Sequence, residues 1–138
     1  MARSDDPSEL RASGTLEAMT RVQFEALVRQ ALADIPEQIR SHVDNVDVVV
    51  EDWPSRAQLV GSGIDEEQYL LGLYEGIPLT DRYDYGMVLP DKITLFQKAI
   101  EEVCSSEDEL VAEVRDTVVH EVAHHFGIDD ESLHEMGV

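Results

Sequence analysis

A short histidine-rich segment carries the residues of this chain that are best suited to chemistry. His120 and His124 are four positions apart, so on a helix they lie one turn apart on the same face. Two imidazoles placed in this way can bind one Zn²⁺ ion from the same side. Glu121 lies about 100° further round the helix axis, where it can act as a general base on water rather than as a ligand. The spacing therefore predicts a metal-dependent hydrolytic site.

A catalytic zinc site also needs a third protein ligand and an open position for water. Gly127 follows His124 by three residues, where a left-handed glycine can end the helix and turn the chain back. Asp130 is then the predicted third ligand, in the pattern H-E-x-x-H-x-x-G-x-x-D. Zinc accepts carboxylates and imidazoles alike, so the spacing leaves three neighbouring side chains as alternatives: Asp129, Glu131 and His134.

The segment from Thr117 to Leu133 resembles the small bacterial zincin-like metallopeptidases, with its H-E-x-A-H-H-F-G-I-x-D-x-x-L run. Residues 48–54, 71–76 and 89–93 are also similar to that family, so the resemblance spans most of residues 20–136. It implies an α+β minimal zincin-like fold. In that fold a small mixed sheet of three or four strands packs with an N-terminal helix and a zinc-binding active-site helix. It also implies Zn²⁺ as the cofactor, and it supplies no substrate.

The composition is that of one globular domain. A chain of 138 residues, 43% of them hydrophobic, is long enough to bury a core without cross-links. Its single cysteine, Cys104, cannot form an intrachain disulfide, which favours a reducing compartment. The polar first twenty residues lack the apolar core of a signal peptide, and no apolar run is long enough to span a membrane. We therefore expect a cytoplasmic protein.

The net charge of −20 comes from 30 acidic and 10 basic residues. Nucleic acids and anionic membrane surfaces would be repelled by this charge, so neither is expected as a partner. The expected partner is a peptide or protein substrate. The sequence does not predict an oligomeric state.

Hydrophobic periodicity predicts the elements that position the motif. Residues 1–19 are predicted to form a flexible tail, which leaves 20–138 as the domain. A helix is expected from Thr20 to Pro36, with its apolar face at Val22, Phe24, Leu27, Val28, Ala31, Leu32 and Ile35. Strands are expected at 46–52, 69–75 and 93–96, and loops are expected at 61–63, within the weakly patterned segment 55–67, and at 79–90.

The motif itself lies near the end of a helix that begins at Ser106. Ser106 and Glu109 fit a capping box at its start. Its apolar stripe is expected to pack on the sheet and to leave His120 and His124 facing a cleft: Leu110, Val111, Val114, Val118 and Val122. A short final helix is predicted over 132–136.

Other reactive side chains receive supporting roles. His125 points about 100° away from His124, so we expect it to support or pack rather than to bind metal. Met136 and Cys104 are expected to pack. A side chain of the polar loop could donate a hydrogen bond to a developing oxyanion, although loop tyrosines more often pack or face solvent: Arg82, Tyr83 or Tyr85.

The predicted function is that of a zinc-dependent peptidase, in which Glu121 takes a proton from water and passes it to the leaving amine. A strand edge beside the cleft would hold the peptide extended. One alternative is a catalytically silent, zinc-stabilised binding or regulatory module, against which the intact Glu121 argues. Another is an amide or ester hydrolase acting on a non-peptide substrate, which the same residues would serve.

Overall fold

The computed structural model describes residues 19–63, 69–76 and 90–137. Within these residues the elements follow the order α1 (Arg21–Ala33), α2 (Glu37–Val43), β1 (Val46–Glu51), α3 (Arg56–Ser62), β2 (Gly72–Glu75), β3 (Asp91–Phe96), α4 (Gln97–Val103), α5 (Glu107–His125) and α6 (Asp130–Glu135). The predicted α+β class is confirmed. Residues 1–18 of the predicted tail at 1–19 and residues 79–89 of the predicted loop at 79–90 lie outside the described residues.

The three strands form one small mixed sheet, as expected, in the order β1-β3-β2, which was not predicted. β1 runs parallel to β3, and β2 pairs with β3 in the antiparallel sense. β2 is therefore an edge strand with its outer side turned to α5, on which it packs. β3 begins at Asp91, two residues before the predicted start, because the charged residues Asp91 and Lys92 pair with the beginning of β1.

Helix α1 begins at Thr20, as predicted. The Thr20 hydroxyl accepts from the backbone N–H of Gln23, whose side chain accepts in return from the N–H of Thr20. Phe24, Val28 and Ala31 are buried in the main core, where the helix packs on α5. Val22 was assigned wrongly to the apolar face: it is 73% exposed, because it lies on the opposite side of the helix from Phe24 and Val28.

Helix α5 is the longest described element and crosses the core. Its buried face consists of Leu110, Val114, Val118, Val119, Val122 and Ala123. Ser106 caps its start by accepting from the N–H of Glu109. The predicted capping box is displaced by one residue, since the Glu109 carboxylate accepts from the N–H of Ser105 instead of Ser106. The buried face fixes how α5 is rotated, and so which residues reach the surface beside β2.

The weakly patterned segment 55–67, in which only a loop at 61–63 was predicted, contains a helix, α3. Ser55 and Gln58 form a reciprocal capping box, and Gly63 ends the helix in the left-handed conformation, with φ of 73°. Gly61 and Ser62 therefore belong to the helix, and only Gly63 acts as a terminator. In the part of the chain that the structure describes, no helix combines the length and apolarity needed to cross a bilayer.

Candidate active site

The Glu121 carboxylate is held between α5 and the edge strand β2. Its Oε1 accepts a hydrogen bond from the backbone N–H of Tyr74, with 2.9 Å between the two atoms. In an antiparallel pair, alternate residues turn their N–H groups away from the partner strand. The ladder bond from the N–H of Phe96 to the carbonyl of Leu71 places Tyr74 among the outward-turned residues. The strand register therefore directs this N–H at Glu121.

Gly72 allows β2 to approach α5 closely. A Cβ atom on Gly72 would lie 2.6 Å from Cγ2 of Thr117 and 3.3 Å from the carbonyl oxygen of Thr94. Any side chain here would push the strand away from the helix. A glycine inside a predicted strand can signal such a close approach.

His120 is oriented by the helix itself. Its Nδ1 lies 2.8 Å from the backbone carbonyl oxygen of Asp116, so Nδ1 carries the ring proton and Nε2 is the nitrogen suited to bind a metal. The ring centroids of His120 and His124 are 6.3 Å apart. The two imidazoles thus stand on successive turns of α5.

The chain reverses after His124 at a glycine. Gly127 has φ of 77°, the N–H of Ile128 bonds to the carbonyl of Ala123, and the N–H of Gly127 bonds to the carbonyl of His124. This Schellman arrangement returns the chain towards the histidines. As a result, Asp130 Oδ1 lies 3.9 Å from His124 Nε2.

The other ligand alternatives are placed differently. Asp129 is the N-cap of α6, and its Oδ1 accepts from the N–H of Ser132 at 2.8 Å. The backbone hydrogen bond from Ser132 holds the pKa of the Asp129 carboxyl below its usual value. Glu131 and His134 are exposed residues of α6.

The donor types of this site fit a zinc ion. Two imidazoles and a carboxylate are ordinary zinc ligands, and ligand atoms on a tetrahedral zinc stand about 3.3 Å apart. The separation of 3.9 Å between His124 and Asp130 is close to that spacing, and both side chains are exposed enough to adjust. Among the residues that the structure describes, no three such groups converge tightly enough to form a complete metal site. His120, His124 and Asp130 would thus close further around an ion.

Two clefts meet at Glu121. One, of about 530 Å³, lies between β2 and the ends of α3 and α5, and its lining includes Tyr74, Glu121, His124 and His125. The other, of about 430 Å³, is lined by Gly72, His120 and Glu121 among others. Leu70 and Glu121 line both clefts. The surface beside β2 is therefore concave on either side of the carboxylate.

A cluster that was not predicted from the sequence lies next to the first cleft. The Tyr74 hydroxyl donates to Asp91 Oδ2 at 2.7 Å, and the Tyr74 ring stacks on His125 with centroids 3.9 Å apart. His125 Nε2 is 4.0 Å from the same Asp91 oxygen. His125 is thus placed in a supporting cluster, the role that was expected of it. Nothing in the sequence pattern singles out Tyr74 or Asp91.

The remaining candidates stand outside this arrangement. Cys104 is buried, and the pKa of its thiol is raised to about 11 by burial first and then by Glu113 and Glu109. Its thiolate is therefore scarce at neutral pH, as expected of a packing residue. Met136 packs against the core. The predicted oxyanion donors lie outside the described residues: Arg82, Tyr83 and Tyr85.

Comparison with known proteins gives a family and a structural relative. A sequence model of the family described as "zincin-like metallopeptidase" matches residues 43–138, which include β2 and all of α5. Among solved structures, a conserved hypothetical protein from Thermus thermophilus is similar, with a TM-score of 0.50 and 28% sequence identity over 84% of this chain and 98% of that one. No curated protein matches the chain.

Proposed function

Because this chain belongs to the zincin-like metallopeptidase family, we propose that it is a zinc-dependent peptidase with Glu121 as its general base. One observation carries the proposal. Glu121 is held by the edge strand at a point between two clefts, on the helix that also carries His120 and His124. A carboxylate fixed beside two metal-binding imidazoles is the arrangement that hydrolytic zinc chemistry needs.

Under this proposal three side chains hold the metal. His120 would use Nε2, because the Asp116 carbonyl engages Nδ1. His124 and Asp130 would supply the second and third ligands from either side of the Gly127 reversal. Zinc bound there would lower the pKa of water and polarise the scissile carbonyl.

Glu121 moves the proton in this mechanism. It takes a proton from the attacking water, and it later gives that proton to the nitrogen of the leaving amine. The Tyr74 N–H fixes one carboxylate oxygen, so the other can be aimed at the reacting groups without a search through rotamers.

The edge strand offers a way to bind an extended peptide. Gly72 and Tyr74 are the β2 residues whose backbone polar groups turn away from β3. Because the Tyr74 N–H already meets Glu121 and β2 packs on α5, an extended peptide would lie beside this strand, with its side chains in the two clefts that meet at Glu121. This favours a peptide or protein substrate over a small amide.

Replacing the proposed base tests the function. Glu121→Ala should retain about one zinc per chain and lose hydrolysis by about 100-fold or more, since a positioned general base contributes about that much. Elemental analysis gives the metal content, and a peptide library read by mass spectrometry gives the activity. Glu102→Ala, which changes an exposed glutamate of α4, serves as the matched control.

Undiminished turnover in Glu121→Ala would sink the proposed mechanism. Zinc binding without cleavage of any peptide by the wild-type protein would instead favour the binding or regulatory module. Cleavage confined to non-peptide amides or esters would favour the alternative hydrolase.

A further inference from the structure

Tyr74 touches three chemically distinct partners at once. Its backbone N–H donates to Glu121, its hydroxyl donates to Asp91, and its ring stacks on His125. We propose that Tyr74 and Asp91 are positioning residues that hold Glu121 in its working orientation. The inference rests on the proposed function for its catalytic consequence, whereas its structural part can be tested without activity.

The side chain of Tyr74 fixes the backbone that holds Glu121. β2 has four residues and pairs with a neighbouring strand on one side, so by itself it is weakly anchored. The hydroxyl is bonded at 2.7 Å to a carboxylate whose side chain is 19% exposed, which makes the bond charge-assisted and shielded from water. The hydroxyl and the backbone N–H lie at opposite ends of Tyr74. The bond from the hydroxyl to Asp91 therefore restrains rotation of β2 about its own axis, which would move the N–H away from Glu121.

Asp91 is placed by the sheet register to receive this hydroxyl. Tyr74 pairs with Ile93, and Asp91 stands two residues before Ile93 on the same face of β3. Such a diagonal position is within reach of a long aromatic side chain. The bond is therefore a consequence of the register and ties β2 to β3 by a side chain as well as by the ladder.

The same tyrosine contacts α5 at two points one helical turn apart. The N–H meets Glu121, and the ring stacks on His125, four residues later, with an interplanar angle of 21°. Asp91 Oδ2 lies 4.0 Å from His125 Nε2 and so closes the arrangement on the other side. These two contacts along α5 fix both the position of β2 along the helix axis and its rotation relative to Glu121.

The catalytic consequence follows from the geometry. A base that is misplaced by a fraction of an ångström still lies in the site but transfers protons less often. Loss of the Tyr74–Asp91 bond should therefore lower kcat and leave KM and zinc content near the wild-type values. A general loss of stability would instead lower the thermal midpoint and the yield of active protein, and the protein that remained folded would keep its wild-type kcat.

Three variants and one control make the test. Tyr74→Phe removes the hydroxyl and keeps the ring, and Asp91→Ala removes the acceptor. Asp91→Asn restores an acceptor without the charge. Tyr69→Phe is the matched control, because its hydroxyl also meets a carboxylate, that of Glu102 at 3.4 Å, on the exposed start of the same segment.

We expect kcat to fall about tenfold in Tyr74→Phe and Asp91→Ala, a modest part of what misplacement of a catalytic group can cost. Asp91→Asn should recover most of the loss, and Tyr69→Phe should match the wild type. Hydrogen exchange of the Tyr74 amide, read by NMR, should accelerate about tenfold in the same two variants, because its acceptor becomes less well placed.

Wild-type kcat together with wild-type exchange of the Tyr74 amide in Tyr74→Phe would overturn the proposal. So would equal losses in Tyr74→Phe and Tyr69→Phe. Should the wild-type protein hydrolyse no peptide, the proposed function fails, and the exchange rates alone decide the positioning role. The positioning role is then supported if the Tyr74 amide exchanges faster in Tyr74→Phe and at the wild-type rate in Tyr69→Phe. It is overturned if the exchange rate of this amide is unchanged in both variants.

Discussion

The two halves of the candidate site differ in how firmly the fold holds their side chains. In the half formed by α5 and β2, Glu121 and His120 are half-buried, and each has a backbone partner at 2.9 Å and 2.8 Å respectively. In the half around the Gly127 reversal, the His124 and Asp130 side chains are 64% and 83% exposed and stand 3.9 Å apart. The proposed base is held by the fold, whereas the other two proposed ligands, His124 and Asp130, are exposed and stand farther apart than two ligands of one zinc ion.

The difference teaches which parts of the chemistry folding alone prepares. The first half lies on the helix whose opposite face is buried in the core, so its side chains inherit the rigidity of that packing. The second half spans the reversal at Gly127, with His124 in the last turn of α5 and Asp130 in the short helix α6. Binding of a metal commonly supplies the remaining order in such a site, because ligand geometry and folding are coupled.

The largest expected effect comes from breaking the exposed half. Asp130→Ala should weaken zinc binding by about 100-fold or more, at least the cost of losing an outer partner of a metal ligand. Asp129→Asn is the matched control, since it removes a neighbouring charge and keeps a good N-cap for α6. Competition with a chelator measures both affinities.

Unaltered zinc affinity in Asp130→Ala would place the third ligand elsewhere on α6. His134→Ala and Glu131→Ala, measured in the same way, would then identify it. Loss of zinc in Asp129→Asn instead would mean that the observed N-cap gives way to metal binding.

A smaller effect is expected from loosening the rigid half. Gly72→Ala places a Cβ 2.6 Å from Thr117 Cγ2, so β2 must move off α5 at a cost of about 1–3 kcal/mol of unfolding free energy. The same movement should lengthen the Tyr74–Glu121 bond and reduce hydrolysis more than zinc binding. Denaturant unfolding and zinc affinity, measured on one preparation, separate the two effects.

Gly61→Ala is the matched control for that substitution. Gly61 lies inside α3, and a Cβ there meets nothing within 4 Å, so alanine should be neutral or should stabilise the protein by about 0.5–1 kcal/mol. Equal stability of the two variants would mean that β2 is not held closely against α5.

Local signals account for what the sequence predicted well. Thr20 and Ser106 start helices because their hydroxyls accept from a nearby N–H, and Gly127 ends α5 because it can take a positive φ. The Ser55–Gln58 capping box is equally local, but α3 was not predicted, because Gly61 and Gly63 were interpreted as marking a loop. The spacing of His120, Glu121 and His124 predicted their common helix for the same reason.

Contacts between distant segments account for what the sequence did not predict. Tyr74 and Glu121 are 47 residues apart, and their bond exists because β2 lies at the sheet edge beside α5. The role of Gly72 depends on the same neighbour relation. Hydrophobic periodicity predicts strands but not their order in a sheet. The motif therefore predicted Glu121 and His120 as site residues, but it could not predict that β2 holds Glu121 in place.

The smallest expected effect concerns the pH dependence of the exposed half. The backbone hydrogen bond from Ser132 lowers the pKa of Asp129 from its ordinary value of 3.8, so the folded state favours the ionised carboxylate. Stability from this cap is therefore fully present above that ordinary value and is lost as the pH falls through the lower, folded-state pKa. In zinc-free protein, acid should loosen α6 before it disturbs α5.

NMR titration of Asp129 and of the Ser132 amide measures this, with Asp129→Asn as a cap that does not titrate. Because Asp129 is exposed, salt should weaken the effect. An Asp129 that titrates at or above 3.8 would show that the cap does not hold α6 in solution, and that the exposed half is less ordered still.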